Sequence, residues 1–180
     1  MQRKNPNLEV IAVDHNRSVI FGAQATRISK MCRETFEQIL GMGAGIPMGN
    51  VNFENCDEVH WVPVPKMVQK VHDLHRRTGM LVGASSGAAL AVAEWRAALE
   101  PSQHVLTIFP DHGVRYVETM FNPRWLNNWT ERPYSGLGRA KEISSLEEVS
   151  EGWCRFKWAR RKYRDATGND PAPRPAGYNP

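Results

Sequence analysis

Residues 79–93 of the chain read Gly-Met-Leu-Val-Gly-Ala-Ser-Ser-Gly-Ala-Ala-Leu-Ala-Val-Ala. The apolar run at 80–82 predicts the end of a strand, and the residues from Ala88 onward predict a helix. Ser85 and Ser86 are of the residue type that caps a helix N-terminus through the side-chain hydroxyl. A strand end, a tight turn and a helix N-terminus together form the usual ligand position of an open α/β sheet.

Two further segments have the composition of loops that approach a ligand. Residues 41–47 read Gly-Met-Gly-Ala-Gly-Ile-Pro, and residues 108–116 read Ile-Phe-Pro-Asp-His-Gly-Val-Arg-Tyr. The first has glycines spaced G-x-G-x-G with proline directly after, so no helix begins there and it is not a dinucleotide-binding fingerprint. Close approach of the backbone to a ligand is the better explanation for Gly43 and Gly45.

These segments, in this order, resemble the cysteine synthase-like family of pyridoxal 5'-phosphate (PLP)-dependent enzymes, which have the tryptophan synthase β-like fold (fold type II). Residues 83–89 are similar to the G-x-S-S-G-A-A segment of that family. Residues 41–47 are similar to its G-x-G-A-G loop, and residues 108–116 to its apolar strand followed by P-D-x-G-x-R-Y. The resemblance covers residues 5–121.

The resemblance implies a cofactor-binding role for five residues. Ser85 matches the serine that hydrogen-bonds the pyridine nitrogen of PLP, where a neutral hydroxyl need not protonate the ring and leaves a milder electron sink. Gly41, Gly43 and Gly45 match the loop that lines the cofactor ring. Asp111, at the carboxyl end of a predicted strand, could accept hydrogen bonds near the ring-nitrogen pocket, with capping of the next turn as the equal alternative.

The resemblance assigns no catalytic residue in this sequence. Neither the lysine that forms the Schiff base with PLP nor the Gly/Thr-rich loop that holds its phosphate has a match. In the family both precede the segment that this chain resembles, and all lysines of this chain lie downstream of the corresponding position. We therefore expect the C-terminal part of the large domain. Its origin stays open between a piece of a longer enzyme, a split enzyme completed by a second chain, and a non-catalytic remnant.

The pattern of apolar residues predicts an α/β fold, an open parallel sheet with flanking helices. Strands are predicted at 8–14, 57–64 and 104–109, and helices at 66–77 and 88–99. Gly79 is expected to end the first of these helices. A further helix is expected around residues 33–40, and a short one from Tyr116 to Met120.

Composition excludes several other protein classes. Hydrophobic residues make up 41% and charged residues 23% of the chain, which is ordinary for a globular protein, and we expect a cytoplasmic protein with no membrane partner. Cys32, Cys56 and Cys154 form no C-x-x-C pair, so free thiols in a reducing compartment are expected. His72 and His75 are spaced i, i+3, but without a third ligand nearby we predict no metal site.

The sequence beyond residue 121 favours a second hypothesis. Residues 151–166 read as a helix with six cations and several interleaved aromatic rings, which could bind phosphates and stack on unpaired bases. We divide the chain into a partial PLP-enzyme domain (1–125), an aromatic strap or linker (126–150), this basic aromatic helix (151–166) and a disordered tail (167–180). A helix whose rings dock on the domain is the more common arrangement.

The resemblance implies PLP-dependent β-replacement on an activated serine, an amino-acid substrate, for the complete enzyme. It also implies a homodimer once the enzyme is complete, or a missing N-terminal half. The alternatives are a non-catalytic remnant and a nucleic-acid-binding module that uses the basic C-terminal helix. Because the Schiff-base lysine and the phosphate-binding loop have no match, the chain is expected to be inactive alone.

Overall fold

A four-stranded open sheet with flanking helices carries the fold. The computed structural model describes residues 4–23, 42–44, 48–130 and 138–171. The strands are β1 (Ile11–Asp14), β2 (Glu58–Trp61), β3 (Lys141–Glu142) and β4 (Cys154–Lys157), and the helices are α1 (Val64–Thr78), α2 (Ala84–Leu99), α3 (Pro123–Thr130) and α4 (Tyr163–Thr167). The predicted α/β class with an open sheet is therefore confirmed.

The order of the strands in the sheet is β1-β2-β4-β3. β1 and β2 run parallel, as expected, with Ile11 opposite Glu58 and Asp14 opposite Trp61. β4 then pairs antiparallel with β2 and parallel with β3, so the sheet is mixed rather than wholly parallel. The additional strands come from the part of the chain that lies beyond the family resemblance.

Alternate residues of the strands enter two separate apolar cores, because side chains of a strand point to opposite faces of the sheet. Ile11 and Val13 of β1 pack against the core that contains both long helices. Val59 and Trp61 of β2 lie in the other core, with neither side chain accessible to solvent. The sheet is thus covered on both faces.

Helices α1 and α2 form the packed pair beside the predicted site. The apolar stripe predicted for α1 is buried at Met67, Val68, Val71 and Leu74. Gly79 ends α1 in the left-handed conformation, with φ of 73°, which confirms its predicted role. A Cβ on Gly87 of α2 would lie 2.2 Å from the Met67 carbonyl oxygen, so the glycine lets the two helices meet at backbone distance.

Four local predictions are corrected by the structure. Residues 104–109 belong to no strand, and of the apolar run at 80–82 only Val82 forms an isolated bridge. The expected helix at 116–120 is a single 3-10 turn, Gly113–Tyr116, followed by turns. Instead of an aromatic strap, α3 occupies 123–130. Apolar composition alone does not supply the neighbouring strand that a sheet requires.

The predicted basic aromatic helix at 151–166 is wrong. Residues 154–157 form β4, and only 163–167 are helical. Trp153, Phe156 and Trp158 are each buried, so these rings are core residues and are not available to stack on bases. Hydrogen bonding to β2 outweighs the helical propensity of this segment.

Other expectations concern residues outside those described. They include the helix predicted around 33–40, Cys32, and all but one residue of the segment from 171 onward. Cys56 and Cys154 are free thiols, as predicted. Across the described ranges, none of the helices combines the length and the apolar character needed to cross a membrane.

Candidate functional site

The central turn and the Pro-Asp motif lie side by side. Val82 and His112 form an antiparallel bridge. On either side of it, the Gly83 N–H donates to the Asp111 carbonyl oxygen at 3.1 Å, and the Gly113 N–H donates to the Leu81 carbonyl oxygen at 3.0 Å. The fold thus brings two of the three sequence motifs into direct backbone contact.

The side chains of these two motifs form a short hydrogen-bonded chain. The Ser85 hydroxyl donates to Oδ1 of Asp111 at 3.0 Å, and the Tyr116 hydroxyl donates to Oδ2 at 2.6 Å. Burial, together with the bond to Asp111, raises the pKa of Tyr116, which therefore keeps its proton. Tyr116, which the sequence suggested was simply packed, is thus a partner of the predicted site.

The glycines of these motifs are required by contacts within the chain. A Cβ on Gly83 would lie 2.1 and 2.3 Å from the two carboxylate oxygens of Asp111. A Cβ on Gly113 would lie 2.8 Å from the Val82 carbonyl oxygen. Both positions exclude a side chain because the two turns are packed together.

Helix α2 begins differently from the prediction. Its N-cap is Gly83, and no side chain caps the helix, so Ser85 and Ser86 lie within its first turn. Ser85 is half-buried and faces Asp111, whereas Ser86 is fully buried and its hydroxyl has no hydrogen-bond partner among the described residues. The carboxylate of Asp111 thus engages the hydroxyl that was expected to cap the helix.

The described part of the glycine loop packs against the residues that follow β1. Gly43 has a φ of 75°, and a Cβ there would lie 2.9 Å from the Cβ of Ser18. The Ala44 N–H donates to the Ser18 hydroxyl at 3.1 Å, and the Val19 N–H donates to the Ala44 carbonyl oxygen at 2.8 Å. Gly41 and Gly45 lie outside the described residues. Ser18, for which the sequence suggested no role, therefore holds this loop.

Two buried titratable residues lie beside the same loop, at the carboxyl end of β1. Burial raises the pKa of Asp14 to about 6, although the carboxyl group accepts a hydrogen bond from the His15 N–H at 2.8 Å. Burial lowers the pKa of His15 to about 3, so this imidazole is neutral at physiological pH. The sequence signal for Asp14 was an acidic residue that directly ends a buried strand.

Three of the six cations of residues 151–166 form ion pairs with acids of this chain. Arg155 forms an ion pair with Glu58 at 2.9 Å and another with Glu142. Arg160 forms an ion pair with Asp57 at 2.7 Å, and Arg164 forms one with Asp170 at 3.3 Å. Because three rings of the segment are buried and half of its cations are paired, the nucleic-acid hypothesis is not favoured.

The two histidines of α1 contact backbone groups. A ring nitrogen of His72 lies 2.6 Å from the Met120 carbonyl oxygen, and one of His75 lies 3.2 Å from the Met80 carbonyl oxygen. Within the described ranges, no group of three or more His, Cys, Asp or Glu side chains could hold a metal ion.

Comparisons with known proteins point to one family. No family model matches the chain. It is 30% identical over 125 residues to N-(2-amino-2-carboxyethyl)-L-glutamate synthase of Cupriavidus metallidurans, covering 67% of this chain and 34% of that protein. It is 28% identical over 120 residues to cysteine synthase of Staphylococcus aureus, covering 66% of this chain and 36% of that protein.

A solved structure gives the same fold. O-acetyl serine sulfhydrylase isoform 3 from Entamoeba histolytica superposes with a TM-score of 0.56 at 21% identity, over 82% of this chain and 38% of that one. The chain thus spans a little more than a third of the length of these relatives. It belongs to the cysteine synthase-like family and corresponds to a part of its members.

Proposed function

We propose that this chain forms part of a PLP-dependent β-replacement enzyme that resembles cysteine synthase and acts on an activated serine. The observation that carries the proposal is the position of Ser85, in the first turn of α2 and hydrogen-bonded to Asp111. Its neighbours in sequence are those of the serine that contacts the pyridine nitrogen in the family. We assign the same contact to Ser85.

The residues present are compatible with a bound pyridine ring. Ser85 is half-buried, and its oxygen keeps lone pairs that Asp111 does not use. Met42, directly before Gly43, packs against the apolar core that also contains Val82 and Ala84. PLP, when bound, supplies an electron sink for the reacting amino acid. The residues of this chain would orient the ring through Ser85 and the loop containing Gly41, Gly43 and Gly45.

Binding of pyridoxine 5'-phosphate to the purified chain tests this assignment, because this probe cannot bond to a lysine. We expect weak, saturable binding that Ser85→Ala weakens by about tenfold, the value of one hydrogen bond of roughly 1 to 1.5 kcal/mol. Ser86→Ala is the matched control, since its buried hydroxyl has no described partner, and it leaves binding unchanged. Equal binding by wild type and Ser85→Ala contradicts the role of Ser85.

We propose that a segment outside the matched region supplies the Schiff-base lysine and the phosphate loop, and that the completed enzyme is a homodimer in the cytoplasm. The chain spans 34% and 36% of the two curated relatives described above. Leu106 and Ile108 are 83% and 73% exposed, which supports a further part of the fold packing over them.

The lysines of this chain are accordingly expected to have no specific bond to PLP. Borohydride reduction of the chain with PLP, followed by peptide mass spectrometry, should show only scattered, substoichiometric modification. Stoichiometric PLP on one lysine, accompanied by a stable yellow protein, would show that the Schiff-base residue lies within this sequence.

A further inference from the structure

The residues that follow β1 lie between the C-terminal part of the chain and the glycine loop. We call residues 15–22 the β1 turn and residues 138–171 the C-terminal segment, which contains none of the three sequence motifs. One side of the β1 turn contacts Gly43 and Ala44, the described glycine-loop residues nearest to it. Another side contacts the C-terminal segment. The turn is therefore the physical connection between the two.

The middle of the β1 turn holds the glycine loop through the backbone of Ala44. The Ser18 hydroxyl accepts the Ala44 N–H at 3.1 Å, and the Val19 N–H donates to the Ala44 carbonyl oxygen at 2.8 Å. The same hydroxyl accepts the Ile20 N–H at 3.2 Å, so both of its lone pairs are used. Ser18 is fully buried, and a Cβ on Gly43 would lie 2.9 Å from the Cβ of Ser18. The position of Ala44 thus depends on that of the β1 turn.

The C-terminal segment anchors the start of the β1 turn through Asn16. The side-chain Nδ2 of Asn16 donates to the Ser150 carbonyl oxygen at 3.0 Å, and the residue is 1% exposed. Its Oδ1 has no hydrogen-bond partner among the described residues. Loss of the bond to Ser150 would leave a buried amide N–H unpaired, which costs more than the bond itself contributes. The bond therefore fixes where this end of the turn lies.

The C-terminal segment also fixes the other end of the β1 turn. The rings of Phe21 and Trp158 pack edge to face, with their centroids 5.2 Å apart. Gly22 has a φ of 75°, and a Cβ there would lie 2.8 Å from Thr167 Cγ2 and 3.1 Å from Leu146 Cδ1. Close-packed contacts of this kind transmit displacement, because they leave no space to absorb it. The turn is held at both ends by the C-terminal segment, and its middle is bonded to the loop.

We propose that Asn16 is a positioning residue through which the C-terminal segment sets the conformation of the glycine loop. The part of this inference that concerns a ligand rests on the proposed function, where the loop is assigned to line a heteroaromatic ring. A loop whose backbone is fixed before the ring arrives pays less conformational entropy on binding. The C-terminal segment thus supports ring binding through the β1 turn, without contact with the ring.

Nitrogen-15 relaxation of the purified chain tests the inference without any ligand. In Asn16→Ala, the order parameters of the Gly43 and Ala44 amides should fall from about 0.85, the value of a rigid backbone, to about 0.6. The Val71 amide, in the buried stripe of α1, should keep its value. A purely structural role of Asn16 would lower the melting temperature and leave the order parameters of the folded molecules unchanged.

Glu142→Gln is the matched control, because it removes an exposed ion pair of the C-terminal segment with Arg155 and should leave the order parameters of the loop unchanged. Titration with pyridoxine 5'-phosphate supplies a second measurement. Asn16→Ala should weaken binding about tenfold, which corresponds to the cost of fixing one mobile backbone residue. In a Ser18→Ala background, Asn16→Ala should weaken binding no further, because both changes release the same contact with Ala44.

The outcomes separate this inference from the proposed function. Unchanged order parameters at Gly43 and Ala44 in folded Asn16→Ala overturn the inference, whether or not the ring binds. Lower order parameters, in a chain whose wild type shows no saturable binding, support the positioning role and overturn the proposed function. If Asn16→Ala does not fold by circular dichroism, Asn16→Ser takes its place, since its side chain fills part of the space but is too short to keep the bond to Ser150.

Discussion

Asp14 ends β1 with a carboxyl group that is buried beside the glycine loop. It is 2% exposed, and its Oδ2 has no hydrogen-bond partner among the described residues. Ser18, in the same turn, accepts the Ala44 N–H, so this buried acid belongs to the structure that positions the loop. Ionising an acid in such a place costs free energy, which links the stability of the loop region to pH.

Replacing Asp14 with asparagine should remove the contribution of this acid to the dependence of stability on pH. The pKa rises from 3.8 to about 6 on folding, so the folded state binds this proton more tightly. Its stabilising contribution is complete below pH 3.8 and is lost as the pH rises through 6. We expect the contribution of Asp14 to the free energy of unfolding to fall by up to about 3 kcal/mol over this interval. His15, whose pKa burial lowers to about 3, contributes in the opposite direction, so the effect of Asp14 is the difference between the wild type and Asp14→Asn.

Urea unfolding at about pH 4 and about pH 8 measures this difference in stability. Between these two pH values, the free energy of unfolding of Asp14→Asn should rise by up to about 3 kcal/mol relative to that of the wild type. Asp165→Asn, which changes an exposed acid in α4, should follow the wild type. Parallel pH dependence in Asp14→Asn and wild type would contradict the assignment of this titration to Asp14.

At the level of elements, the contact between α1 and α2 depends on one missing side chain. In Gly87→Ala, the new Cβ would lie 2.2 Å from the Met67 carbonyl oxygen and 2.8 Å from Val71 Cγ2. The helices must separate, and overpacking of this kind costs about 1 to 3 kcal/mol, more than alanine gains in helix propensity. Thermal unfolding should report this loss. Gly138→Ala, with nothing within 4 Å, should unfold as the wild type.

The extended segment at 104–109 should cause self-association of the isolated chain. Its exposed apolar side chains resemble an unprotected sheet edge, which pairs readily with another chain. Leu106→Lys combined with Ile108→Lys should shift sedimentation velocity profiles toward the monomer, with an unchanged melting temperature because neither side chain is buried. Leu99→Lys places the same charge on another exposed leucine, at the end of α2, and should leave association unaltered.

These elements also show what could be predicted from sequence and why. The limits of α1 followed from a regular apolar stripe and a terminal glycine, both of which act locally. β4 was missed because Trp153, Phe156 and the cations around them fit a helix as well as a strand. Only the distant edge of β2 decides between these states, and a local pattern contains no information about it.

For the whole molecule, β4 and the residues on either side of it contribute to both cores, and β4 lies inside the sheet. Trp153 lies in the core of the long helices, and Phe156 and Trp158 lie in the other. A chain that ends at residue 150 should therefore lose cooperative thermal unfolding, because β2 and both cores are left open. Adding a peptide of residues 151–171 should restore part of the transition by strand addition. A cooperative transition without the peptide would show that β4 is dispensable.

The candidate site was predictable as a set of residues but not as a network. The motifs indicated Ser85 and Asp111 as neighbours, and their side chains are hydrogen-bonded. This hydrogen bond and the packing of Ser18 on Gly43 depend on contacts between segments that are distant in sequence, whereas the bond from Tyr116 joins residues five apart and depends on the turn between them. The glycines were attributed to a ligand, whereas the three-dimensional packing of the chain already requires Gly43, Gly83 and Gly113.

The spatial order β1-β2-β4-β3 also has a consequence for biosynthesis. On the ribosome, β2 emerges long before β4, and one edge of the nascent sheet must wait for its final neighbour. Until then the hydrogen-bonding groups of that edge and the ring of Trp61 are open to incorrect pairing. This sheet is thus completed only after β4 has been synthesised, and slow synthesis before residue 154 prolongs the interval in which the edge of β2 is open.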